Sequence, residues 1–256
     1  MLTSVRSLLA ATMIAGTLFA APAMAQEAES AVTFSANAAV TSEYRFRGVD
    51  LSGGDIAIQG GIDAALPAGF YVGTWGSSLD EDTVGFGHTE LDVYGGWGGE
   101  FSGLTVDVGV IAYLYPNAGP GDFDAFEGYA SVGGSVGPAS VEVGVAYQPK
   151  QDSLGGTDNF YVYTDLGVGI PNTPVSISGH VGYTDGFLTY TSNGKAFDWS
   201  VGADLALGET ISVGVAYVGA EGDPFTLDDN GTIGVGDDYI YDFVDDAFVV
   251  TLSASF

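Results

Sequence analysis

The chain has 256 residues, with 33 acidic and five basic side chains, a formal net charge of −28, 46% hydrophobic and 12% aromatic residues, forty glycines and no cysteine. This balance excludes nucleic acid as a partner, because phosphate binding needs a basic face. It also excludes disulfides and thiolate metal sites, and its apolar content is far above that of a disordered acidic tail. Divalent cations and cationic solutes are compatible with it.

In chain order, Arg6, the apolar run from Leu8 to Ala21 and then Ala23-Met24-Ala25 form the three regions of a secretory signal. Cleavage is expected after Ala25, so that residues 1–25 are the leader and 26–256 the folded domain. Loss of Arg6 leaves four basic residues against 33 acidic ones. No later run approaches the roughly 20 apolar residues of a membrane helix. Any crossing of a bilayer is therefore by strands.

Period-two alternation predicts twelve strands near 32–47, 55–66, 70–79, 89–98, 103–115, 124–136, 140–149, 158–169, 175–184, 197–207, 210–219 and 247–256. The clearest apolar rows are Leu104, Val106, Val108, Val110, Ala112, Leu114 and Phe197, Trp199, Val201, Ala203, Leu205, Leu207. The last strand alternates through Phe248, Val250, Leu252, Ala254 and ends on Phe256. Short connections, such as Leu66 to Gly69 and Gly208-Glu209, alternate with mostly longer ones, such as Asp80 to His88 and Ala220 to Asp246. That asymmetry predicts an all-β fold, a transmembrane antiparallel up-and-down barrel of about twelve strands with both termini periplasmic, in the outer membrane of a Gram-negative bacterium. A soluble sandwich or barrel shares the period. The leader, the terminal Phe and a polar row rich in glycine and tyrosine favour the membrane. Tyr71, Tyr94, Tyr113, Tyr115, Tyr147 and Tyr183 are expected near strand ends, as girdle or upper-lumen residues.

The segments Ser42-Glu43-Tyr44-Arg45-Phe46-Arg47-Gly48-Val49, Ala57 to Gly61, Gly69 to Ser77 and Glu90 to Trp97 resemble the TorF-like family of proteobacterial outer-membrane porins. The likeness runs along the mature chain and is specific in its first third. Asp50 stands where many members carry Ser, which sets the first loop apart. The resemblance implies a barrel and a pore, and it assigns no substrate or site residue.

Extending the first strand's alternation places Glu43, Arg45 and Arg47 on the inner face and Tyr44 and Phe46 outside. The inner rows of the other strands supply Asp63, Glu90, Asp92, Asp107, Glu127, Glu142, Asp165, Asp198 and Asp204. A basic strip facing acidic strips sets a transverse field in a narrow pore, and rings of charged side chains select ions. Alternatively the two arginines are structural, each pairing with carboxylates that a narrow interior cannot leave alone. In either case the acidic excess favours cations.

In the longest loop, Asp228, Asn230 and Asp237 fall at ligand positions of a calcium-loop pattern, with Gly231 at its turn, although Thr226 replaces the first Asp. A solvated Asp-Asn-Gly turn explains the same residues without Ca2+, and no other cofactor is expected. His88 and His180 are the available imidazoles, and no nucleophile-elbow sequence surrounds any serine, so no enzyme is expected. The reading is a cation-preferring channel for small solutes. One alternative is a non-conducting barrel whose acidic loops bind divalent cations, lipopolysaccharide or a partner; another is an outer-membrane hydrolase. Outer-membrane lipid and lipopolysaccharide are the expected surroundings, and the sequence leaves the oligomeric state open.

Overall fold

The computed structural model describes residues 32–189, 191–224, 226–227, 238–239 and 245–256. Twelve antiparallel strands close into a barrel. They are β1 (Thr33–Thr41), β2 (Ala57–Ala65), β3 (Phe70–Ser78), β4 (Thr89–Phe101), β5 (Leu104–Leu114), β6 (Ala125–Val136), β7 (Ala139–Gln148), β8 (Asn159–Gly169), β9 (Val175–Gly186), β10 (Thr191–Leu207), β11 (Ile211–Pro224) and β12 (Ala247–Ser255). Each barrel strand pairs with its neighbours in sequence, and β12 returns to β1 with Ser255 opposite Asn37 and Thr251 opposite Thr41. Ala36 and Phe256 exchange backbone hydrogen bonds of 3.1 and 2.9 Å at this seam. Closure leaves no strand edge in the wall, the condition for strands to lie in hydrocarbon.

The predicted segments correspond to these strands with three differences. β1 stops at Thr41 instead of reaching Arg47, while β10 starts at Thr191 and β11 runs on to Pro224. A short ladder of Thr226–Leu227 with Asp238–Tyr239 lies within the connection before β12. Asp228, Asn230 and Asp237, the calcium-loop candidates, and the whole leader fall outside the described residues.

Connections are short at one end of the barrel. Between β4 and β5 only Ser102 and Gly103 intervene, both left-handed at φ 55° and 83°, the two-residue turn whose twist suits a hairpin. β1 begins and β12 ends at this same end.

The outer wall is apolar. Ile58, Val110, Phe126 and Phe248 are 60–73% exposed, a surface far larger than the apolar patches water tolerates. Lipid removes that conflict, and Phe34, Phe101 and Phe256 mark the rim at the short-turn end.

The core lies inside the barrel. Ile111, Tyr113, Ala125, Tyr129, Ala146, Tyr161 and Tyr163 form one buried cluster, and Tyr44, Val49, Leu51, Ala57, Trp75 and Leu79 a second. Phe46, Tyr94 and Tyr115 pack against both. The tyrosines fit because glycines face them across the ladder: a Cβ at Gly73 would overlap the ring of Tyr94, and one at Gly144 the ring of Tyr163. Of the tyrosines expected near strand ends, Tyr71, Tyr94, Tyr113 and Tyr115 turn inward, while Tyr147 and Tyr183 lie on the outer row.

Candidate functional site

After Thr41 the chain leaves the wall and enters the bore. Thr41 Oγ1 donates to the carbonyl of Glu43 at 3.0 Å, and a small hairpin follows, Arg45–Phe46 paired with Val49–Asp50. Its turn is Arg47-Gly48, with φ of 50° and 80°. Tyr44, Arg45, Val49 and Leu51 are at most 6% exposed. Burial of Tyr44, Val49 and Leu51 gives the hairpin about 1.5–3 kcal/mol per side chain against its ordering entropy.

Tyr44 and Phe46, expected outside from strand alternation, are therefore inside. Tyr44 packs edge-on against Trp75 of β3 and donates to Glu90 of β4 at 2.8 Å, while Phe46 packs on Tyr113 of β5. The physical reason is that a hairpin within a lumen has both faces covered. Period two then no longer separates lipid from interior. Glu43, Arg45 and Arg47 consequently lie on this hairpin segment and not on a wall strand.

The hairpin crosses the bore. At its tip, Arg47 Nη2 donates to both carboxylate oxygens of Glu127 on β6, at 2.9 and 2.7 Å. The guanidinium lies 4.1 Å from the centroid of the Tyr161 ring of β8 and 4.8 Å from that of Phe46. Gly48 sits so close to Asp198 of β10 and Ala220 of β11 that no larger residue fits. Burial disfavours the charge on Arg47, but Glu127, with Tyr113 and Tyr161, outweighs it and holds the guanidinium above its ordinary range. Arg45 pairs with Glu43 and donates to the carbonyl of Gly48 at 3.1 Å. Burial raises the Glu43 carboxyl, and Arg45 only partly offsets this.

The arginines thus form two collapsed ion pairs instead of a strip opposed to acidic strips. The remaining carboxylates fall into two tiers. Glu90, Asp92, Glu127 and Asp198 lie at the level of the hairpin and are 2–3% exposed. Asp63, Asp107, Glu142, Asp165 and Asp204 lie towards the short-turn end and stay half-buried. There the facing wall of β11, β12 and β1 is small and polar, with Ser212, Thr251, Ser253 and Asn37 all partly exposed.

Tyrosine hydroxyls hold many of these carboxylates. Tyr94 donates to Asp63 at 2.5 Å, Tyr71 to Asp107 at 2.8 Å, Tyr163 to Glu142 at 3.3 Å and Tyr113 to Glu127 at 3.1 Å. His180 is clamped: Nδ1 lies 2.6 Å from Asp165, Nε2 lies 2.9 Å from Asp198, and the Tyr161 hydroxyl is 2.8 Å away. Both imidazole nitrogens are taken by carboxylates, and Ser178 Oγ makes no hydrogen bond with either. His88 is exposed beside Thr89 at 3.0 Å. Sequence reasoning did not find the clamp, because three strands bring it together only once Asp165 stands opposite His180 and His180 opposite Ser200. It did not find the turn either, although Arg47-Gly48 carries a turn signal in its glycine.

A family model described as a bacterial protein of unknown function, Gcw_chp, matches residues 25–256. No curated protein matches the sequence. Among solved structures, the NanC porin is similar at 10% identity and a TM-score of 0.54, over 88% of this chain and 99% of that one. The KdgM porin in complex with disordered oligogalacturonate is similar at 7% identity and 0.53, over 87% and 98%. An outer-membrane channel from Pseudomonas putida F1 is similar at 9% identity and 0.50, over 87% and 94%. The fold is that of an outer-membrane porin.

Proposed function

The chain belongs to the bacterial Gcw_chp family of unknown function, and we propose that it is an outer-membrane channel for small solutes that prefers cations and whose bore is set by the inner hairpin. The half-buried acidic tier of Asp63, Asp107, Glu142, Asp165 and Asp204, with both lumen arginines already paired, carries this reading. A path along that tier concentrates cations and repels anions. The porins of like fold and the resemblance to TorF-like porins support a conducting role. An acidic saccharide such as the oligogalacturonate bound by the KdgM porin does not suit this lumen, because its carboxylates would meet others. Export through a cleaved leader and insertion with both termini periplasmic belong to the same reading.

Planar-bilayer recording of the refolded barrel tests it. Conductance steps with a cation-selective reversal potential are expected; an anion-selective one would overturn the charge argument. A second reading, a non-conducting barrel, is favoured by one observation: Arg47 and Gly48 reach β6, β10 and β11 across the bore. Absence of steps in the wild type and in a hairpin-released variant would decide for it.

A further inference from the structure

The seat of Arg47 has the parts of a receptor for a planar cation. A buried carboxylate, Glu127, offers both oxygens to one guanidinium, the Tyr161 ring stacks on it at 4.1 Å, and the Tyr113 hydroxyl fixes the carboxylate at 3.1 Å. A delocalised, weakly hydrated guanidinium held beside a carboxylate and over an aromatic face is recognised by its flat face as well as by its charge. The chain's own occupant fits imperfectly. Arg47 Nη1 is buried with no hydrogen-bond partner, and Arg47 sits at φ 50°, a conformation that side chains with a Cβ disfavour. A free guanidinium has no backbone to hold at φ 50° and can turn within the seat.

We propose that this seat is a binding site for small guanidinium-bearing solutes, which compete with Arg47 for Glu127 and so release the hairpin from the bore. The release half rests on the channel reading; the binding half does not. Arg47 is tethered by a short turn, which gives it an effective concentration in the millimolar range. A competitor is therefore expected to act at about 10–100 mM and to leave the hairpin in place at micromolar levels.

The test has two binding arms and one of conductance. In R47A the seat is vacant, and methylguanidinium is expected to raise the thermal midpoint of the barrel by roughly 2–4 °C. Tetramethylammonium at equal ionic strength should not, and the gain should vanish in R47A/E127Q. Equal effects of the two cations, or a gain that persists without Glu127, would overturn the proposal. So that the test does not depend on the yield of R47A, the second arm uses the native hairpin with W97F/W199F, which leaves Trp75 as the single tryptophan, against Tyr44 of the hairpin. Methylguanidinium should red-shift its emission where tetramethylammonium does not, and an unchanged spectrum overturns the proposal. In bilayers, methylguanidinium should raise open probability. Binding in the first two arms with no conductance in any condition keeps the site and rejects the channel; conductance with no response in those arms does the reverse.

Discussion

Arg47 and Glu127 are 80 residues apart in sequence and form an ion pair across the barrel in which one guanidinium nitrogen meets both carboxylate oxygens, with side chains 5% and 1% exposed. Removing one partner of such a pair leaves a buried charge uncompensated. E127Q is expected to destabilise the hairpin's seat by about 3–5 kcal/mol, read as a lower thermal midpoint and faster proteolysis between residues 42 and 56. The double replacement R47M/E127L, apolar at both positions, should recover to within about 1–2 kcal/mol of the wild type. Failure of that recovery would mean that the pair stabilises beyond filling space.

Trp75 is the inner tryptophan, and Trp97 and Trp199 lie on the outer row. In a W97F/W199F background its emission reports the hairpin alone. Y44A removes the ring packed against it at 5.7 Å and the hydrogen bond to Glu90. A loss of about 3–5 kcal/mol is expected, with a red shift and access to iodide quenching. A blue, shielded spectrum in Y44A would show that the hairpin keeps its place without Tyr44.

The strands were legible in the sequence because lipid selection acts locally. Ile58 and Ile62, or Val108 and Val110, are apolar wherever the wall is thin and two-sided, so the period survives without knowledge of the partner strand. The hairpin was not legible for the converse reason. Glu43 to Val49 alternates as a wall strand does, and only the distant partners Glu90, Glu127 and Asp198 show that the segment is inside. The inward placement of Asp63, Asp107 and Asp204 follows from parity alone, whereas the clamp on His180 depends on register between β8, β9 and β10.

Asp204 is half-buried in the open tier near the short-turn end. A unit charge about 8 Å from a passing ion in water attracts a cation by about 0.5 kcal/mol and repels an anion by as much, a difference of about 1 kcal/mol. D204N is therefore expected to lower the cation-to-anion permeability ratio about fivefold, measured as a reversal potential in a salt gradient. An unchanged ratio would place the ion path away from this residue.

His180 separates two carboxylates that would otherwise face each other, Asp165 and Asp198. H180A is expected to cost about 1–3 kcal/mol through their lost partners. Thermal unfolding of H180A beside H180A/D198N checks the cause, because the second substitution should restore part of the loss. An equal or greater loss in the double variant would locate the effect in packing instead.

Gly73 accepts the ring of Tyr94 across the ladder, while a Cβ at Gly169 would meet open space. G73A is expected to destabilise by about 1–3 kcal/mol through overpacking, and G169A by no more than about 0.5 kcal/mol. Comparable losses at both sites would overturn the overpacking account, since the entropy change of Gly→Ala favours folding.

The pairing of β1 with β12 has a consequence for assembly. The two strands meet along five residue pairs, Asn37 to Thr41 against Thr251 to Ser255, and the hairpin departs from β1 at that place. Its resting surface is drawn from β3 to β6, β8, β10 and β11, all of which precede β12 in synthesis. If the cylinder shut first, a finished hairpin would have to be threaded through its mouth. With β12 arriving last, the sheet would curl around the hairpin as around a mandrel, and the stitch joining first and last strands spans more than 200 residues, as from Thr41 to Thr251. On that order the same peptide that crosses the bore would serve as a former for the tube.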